Sequence, residues 1–189
     1  MADDEAEITG WALAAAKGDR AAAARFVQAT QPQVRRFLAA LTAPSEADDL
    51  AQETFLRAVR SLPSFAGRSS ARTWLFTIAR RVAVDHVRAT VARPRTVPVP
   101  DGYDTPDLHR SGFDRQVILE RLIAELPAER REAFVATQVL GLSYAEAAEV
   151  CDCPVGTIRS RVARAREDLL VAMDARPGSG ARRGGHEVG

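Results

Sequence analysis

The chain has 189 residues, 46% of them apolar, with 26 basic and 25 acidic side chains. About 150 residues per domain allows one or two domains, and this apolar content excludes general disorder. No charge-free stretch exceeds residues 133–145, and the start Asp3-Asp4-Glu5-Ala6-Glu7 is acidic, so neither a membrane span nor a secretory signal is read and a soluble intracellular protein is expected.

The net charge of +1 hides segregation. Residues 57–95 carry nine arginines against Asp85 alone, and residues 159–166 carry four arginines and no acid. The flanking blocks, 1–54 and 101–158, are acidic. Two basic blocks in an otherwise acidic chain point to two separate contacts with polyanions.

Ala, Leu, Arg and Glu recur at helical spacing and strand signals are nearly absent, so an all-α fold is expected. The first helix is read from Ile8 to Gln31, ending at Pro32, and a second from Gln33 to Leu41. Ser45 stands as N-cap of a third, Glu46 to Ser61, whose first turn holds Asp48 and Asp49 where the helix dipole favours negative charge. A polar loop, Ser64 to Ser70, leads to a long helix from Ala71 to Ala92. On that helix Trp74, Ile78, Ala79, Val82 and Asp85 form a packing face. Thr77, Arg80, Arg81, Val84 and Arg88 form a basic one. Trp74 is read as core rather than as a stacking wedge, and Asp85 as a partner of Arg81 or Arg88.

Four prolines between Pro94 and Pro106 stop any helix. Residues 94–112 are therefore read as an extended Pro-rich linker between two small helical domains, 8–93 and 113–175, with a disordered tail at 176–189. In the second domain the stripe Val117-Ile118-Leu119-Leu122-Ile123-Leu126 makes a helix, and another runs from Pro127 to Gly141. Ser143 and Glu146 have capping-box spacing for a short helix ending near Val150. Cys151-Asp152-Cys153 is a tight connection, and a last helix begins at Pro154.

On that last helix Val155, Ile158, Val162, Ala165 and Leu169 lie within about 80° of one another and must pack. Thr157, Ser160 and Arg164 occupy the opposite face, flanked by Arg159 and Arg161. A capped short helix, a tight turn and this helix form a helix-turn-helix, whose second helix enters the major groove. There Arg can pair with guanine and Ser with either base type.

The run from Leu142 to Ala148, followed by Cys153 to Arg166, resembles region 4 of the extracytoplasmic-function (ECF) sigma factors of bacterial RNA polymerase. Asp48 to Ala58 resembles their core-binding region 2 helix, and Ser69 to Arg81 the segment that opens and reads the −10 element; the wording is closest to actinobacterial sigma-C-like members. The resemblance implies an alternative sigma factor with RNA polymerase core and promoter DNA as partners and leaves room for an anti-sigma factor; no membrane contact is implied. It assigns Asp48, Asp49, Gln52, Glu53, Phe55 and Leu56 to the β′ clamp helices, and sets region 4 against the β flap. It assigns Phe65, Gly67, Arg68, Ser69, Ser70, Arg72, Arg80, Arg81 and Arg88 to −10 DNA. Thr157, Arg159, Ser160, Arg161, Arg164 and Arg166 go to −35 DNA. The 64–70 loop can hydrogen-bond a base that has left the stack.

Nineteen linker residues in polyproline geometry reach about 59 Å, close to the roughly 56 Å of a 16–17 base-pair spacer. Asp101, Asp104 and Asp107 suit the linker to a basic protein channel or to a passive tether. Cys151 and Cys153, with His86, His109 and His186 scattered, have poor metal-ligand spacing and read as turn packing. His86 reads as surface or DNA-facing. No catalytic constellation or cofactor motif stands out, so a non-enzymatic protein without cofactor is expected. Two alternatives remain: a stand-alone helix-turn-helix regulator, and a nucleic-acid-modifying enzyme, which would need acidic ligands that the basic block lacks apart from Asp85.

Overall fold

The computed structural model describes residues 2–92 and 113–174. The expected linker at 94–112 and tail at 176–189 lie outside them. The described residues form helices without a strand: α1 (Ala2–Ala16), α2 (Arg20–Leu41), α3 (Ala47–Ser61), α4 (Ala71–Ala92), α5 (Phe113–Glu125), α6 (Ala128–Phe134), α7 (Tyr144–Cys151) and α8 (Val155–Asp174). Short 3-10 turns precede and follow α3, and a π-helical turn at Val135–Val139 continues α6.

The chain breaks where glycine allows it, and Pro32 does not break it. Gly18 takes φ +99°, and the amides of Lys17 and Gly18 bond back to Ala14 and Ala15. Asp19 then caps α2 by accepting from the Ala22 amide at 3.0 Å. The expected helix from 8 to 31 is thus two helices, and Gly18-Asp19 was the signal for it. Pro32 sits inside α2 on its exposed side, while Phe26, Thr30, Val34, Phe37 and Leu38 carry a buried stripe straight past it. That burial outweighs the roughly 3 kcal/mol cost of an internal proline. At α3 the expected Ser45 cap is also absent: residues 44–46 form the 3-10 turn, and Glu46 stands at the N-cap position without a side-chain bond.

Helices α1–α4 pack as one bundle, and α6, α7 and α8 as another. The two are not held apart here. Helix α4 lies along α7, α2 touches α5 and α6, and the buried apolar side chains of both halves form one cluster.

Candidate nucleic-acid and polymerase interfaces

Helix α7 starts with the expected capping box. Ser143 Oγ accepts from the Glu146 amide at 3.2 Å, and Glu146 Oε2 accepts from the Ser143 amide at 2.8 Å. The helix ends at Asp152 with φ +50°, and Pro154 starts α8 by accepting from the Thr157 amide. Ile158, Val162, Ala165 and Leu169 are buried, while Val155 is 40% exposed and does not join them. The outer crest of α8 carries Arg159, Ser160 and Arg164, all exposed. Ser160 Oγ donates back to the Thr157 carbonyl at 3.0 Å. Arg161 and Arg166 are already engaged: Arg161 with Glu129 at 2.5 Å, and Arg166 with the Gln138 side chain at 2.7 Å. Arg161, with only 20% of its side chain exposed, therefore stands apart from the crest. A guanidinium on a helix flank takes the nearest carboxylate that folding brings to it.

On α3, Ala47, Leu50, Ala51, Thr54 and Ala58 are buried. The opposite side presents Asp49, Gln52, Leu56 and Val59, all exposed and within about 80° of one another at 100° per residue. Leu56 is 54% and Val59 49% exposed. Val59 was missed by sequence reasoning although it lies three residues after Leu56. Asp48 pairs with Arg35, and Glu53 with Arg57 at 2.7 Å. Phe55 is half-buried against the core. Arg57 also reaches Asp85 at 3.2 Å, so Asp85 pairs across helices and not with Arg81 or Arg88.

Between α3 and α4, Phe65 is buried, its ring 5.0 Å from that of Trp74, which in turn lies 6.4 Å from Phe26. Trp74 is a packing residue, as its face implied, and Phe65 holds the loop down instead of offering its ring to DNA. Gly67 and Arg68 are exposed; Ser69 and Ser70 are half-buried. Arg81 and Arg88 point outward, and His86 pairs with Glu46 at 2.9 Å.

Arg72 and Arg80 are half-buried and engaged. Arg72 donates to Gln33 at 3.0 Å, to Glu5 at 2.9 Å and to the Leu140 carbonyl at 2.7 Å. Arg80 pairs with Glu132 of α6. Burial raises the Glu132 pKa, and the hydrogen bond and charge of Arg80 do not fully offset it. For Arg80 burial acts downward, yet the Glu132 contact outweighs it and the pKa ends raised.

Residues 26–93 match the family Sigma-70 region 2, and residues 116–169 match Sigma-70, region 4. The chain is 54% identical over 177 residues to the ECF RNA polymerase sigma factor SigC of Mycobacterium tuberculosis, covering 93% of this chain and 94% of that one. This chain belongs to the ECF sigma factors. The ECF RNA polymerase sigma-E factor of Escherichia coli is 34% identical over 167 residues, with 81% and 87% covered. Among solved structures, the sigma factor RpoE of Bartonella quintana, in complex with the anti-sigma factor NepR, superposes with a TM-score of 0.63 at 29% identity, covering 81% of this chain and 97% of that one. CnrH, in complex with the cytosolic domain of CnrY, shares the fold at 24% identity with a TM-score of 0.71, covering 90% and 99%.

In this sigma factor, region 4 rests on the face of α4 that was expected to be open. Besides the Arg72 and Arg80 contacts, Glu146 Oε1 accepts from Thr73 at 3.3 Å and Ser70 at 3.4 Å. Burial acts to raise the Glu146 pKa, but bonds from Ser143, Thr73 and Ser70 outweigh it and hold it below its ordinary value. One carboxylate thus caps the helix-turn-helix and docks it on region 2. Thr77, Arg80 and Arg81 line a polar cleft of about 110 Å³ with Glu149, Val150 and Asp152. The basic face predicted from helical spacing is real; acidic Glu132 of region 4 takes its Arg80, while Arg81 and Arg88 stay exposed.

Cys151 is buried and Cys153 half-buried, both as free thiols in the turn. Among the described residues no His, Cys, Asp and Glu group could hold a metal ion, and no helix is long and apolar enough to cross a membrane.

Proposed function

We propose that this alternative sigma factor works in the cytoplasm and couples promoter reading to polymerase binding through the packing of its two halves. The carrying observation is an asymmetry. The α8 crest of Arg159, Ser160 and Arg164 and the α3 stripe of Asp49, Gln52, Leu56 and Val59 are exposed. Arg72 and Arg80, on the −10 face, are bound by region 4. Both DNA surfaces become usable together only when the halves separate.

The α3 stripe suits a protein partner. Apolar Leu56 and Val59 beside Asp49 and Gln52 form a mixed patch that phosphate would reject and a basic, partly apolar helical surface would accept. Docking there leads to opening, which frees Arg80 from Glu132 and Arg72 from the Leu140 carbonyl, although Glu5 and Gln33 still hold Arg72, and adds them to the outer basic residues Arg81 and Arg88 before −10 DNA. The 64–70 loop with Arg68 at its tip then receives an extruded base. Region 4 reads −35 DNA through Arg159, Ser160 and Arg164, with Thr157 and Arg166 toward phosphates. Its outer surface meets the β flap. Strand opening draws on captured bases, with no bond broken by this chain. An anti-sigma factor, the kind of protein bound to the solved sigma factor RpoE of Bartonella quintana, is the fitting inhibitor.

Run-off transcription with purified core polymerase across a small promoter library tests this reading. Specific transcripts that depend on the added chain are expected. Full-strength recognition of a complete promoter by the isolated chain, or failure to bind core polymerase, would overturn it.

A further inference from the structure

Helix α1 precedes the residues that match region 2, yet it touches the loop that leads into α4. The first amides of a helix have no partner within it and need an acceptor from elsewhere. In α4 the Thr73 amide is served locally, by Ser70 Oγ at 3.2 Å. The Ala71 amide is served from 62 residues away, by Thr9 Oγ1 at 3.1 Å. One turn further along α1, Leu13 lies under Gly67. A Cβ added to Gly67 would stand 3.3 Å from Leu13 Cδ2, and φ there is +66°. At its other end the loop is pinned by buried Phe65 on Trp74. The fixed ends leave Ala66, Gly67 and Arg68 as an exposed crest.

We infer that α1 is the strut that shapes the −10-reading loop, with Thr9 as a positioning residue that acts through the Ala71 amide. The inference rests on the proposal that this loop engages −10 DNA. A loop that captures a base must hold its backbone donors and acceptors in place before the base arrives, because ordering them on binding would weaken capture. Thr9 supplies that order from a rigid helix, and Leu13 limits how far the glycine turn can sink.

The test uses holoenzyme assembled from core polymerase with wild-type chain, Thr9→Val, Thr9→Ser or Arg68→Ala. The probes are fork-junction DNAs that differ only in the single-stranded non-template bases of the −10 element. The fraction of active holoenzyme is titrated first, so that loss of folded protein does not count. Thr9→Val, which keeps shape and removes the acceptor, should weaken capture of the preferred −10 strand roughly three- to tenfold, as one misplaced hydrogen bond does. It should also narrow the preference among the probes, while core affinity stays at the wild-type value. Thr9→Ser restores the hydroxyl and should restore the preference. If Arg68→Ala alters −10 capture and Thr9→Val leaves both capture and preference intact, the strut is refuted while the loop keeps its role. An Arg68→Ala variant that captures every probe like wild type would remove the loop's role, and the strut with it.

Discussion

Replacing Arg80 with alanine should release region 4 from region 2. The Arg80 side chain is 25% exposed and that of Glu132 11%, so the two possible single changes are unequal. Arg80→Ala strands a carboxylate in a nearly dry position. Removing one member of a buried pair costs about 3–5 kcal/mol, and the partial access of water here brings that to about 2–3 kcal/mol. The closed-to-open ratio should fall by a factor of roughly 30–150. Glu132→Gln removes the attraction together with the buried charge, so its shift should stay under about 1 kcal/mol.

The pH dependence carries a definite sign. Burial raises the Glu132 pKa above its ordinary 4.5. Its contribution to the stability of the folded chain is therefore complete below 4.5 and is lost as pH rises through the raised value. Arg80→Ala takes away the main group that opposes this rise, leaving only the charge of Arg161, so the variant should re-close as pH falls from neutral toward 4.5. Glu146 has the opposite sign. Its pKa is lowered, so its contribution is present above 4.5 and is lost only as pH falls through the lower value. Small-angle X-ray scattering reads opening as a larger radius of gyration. Identical scattering from Arg80→Ala and wild type at neutral pH would refute the reasoning, as would Glu132→Gln opening further than Arg80→Ala.

Three further outcomes are expected. Arg164→Ala in the holoenzyme should cost about 1–3 kcal/mol on the preferred −35 sequence and relax preference at one position; equal loss on every −35 variant would make Arg164 a phosphate contact. Asp152 sits exposed at φ +50°, so Asp152→Val should destabilise by about 1–2 kcal/mol and Asp152→Asn by almost nothing, read from thermal unfolding. Burial pushes the Cys151 thiol up well beyond its ordinary range, so iodoacetamide should label Cys153 in the native protein and Cys151 only after unfolding, and equal native labelling of both would contradict the packing.

Much of the candidate site was legible because its signals are local. The Ser143–Glu146 box spans three residues, and the buried side of α8 repeats every three or four. Both can be read from neighbours in the chain. The errors arose where a local signal competed with a longer one. Pro32 looked like a terminator, but the stripe from Phe26 to Leu38 is long enough to override it. Gly18-Asp19 was passed over because helix-forming alanines surround it. The Pro44 turn displaces Ser45 from the cap position that its residue type suggests.

Helix identity, the helix-turn-helix and the family follow from spacing along the chain, since a helix repeats within the reach of four residues. The partners of the arginines do not. Arg57 takes Asp85 across 28 residues, Arg80 takes Glu132 across 52, and Arg72 takes the Leu140 carbonyl across 68. A guanidinium on a long side chain bonds whichever acceptor the packed helices bring within a few ångströms, so only the tertiary packing, within each half for Arg57 and between the halves for Arg72 and Arg80, decided which basic residues stay free.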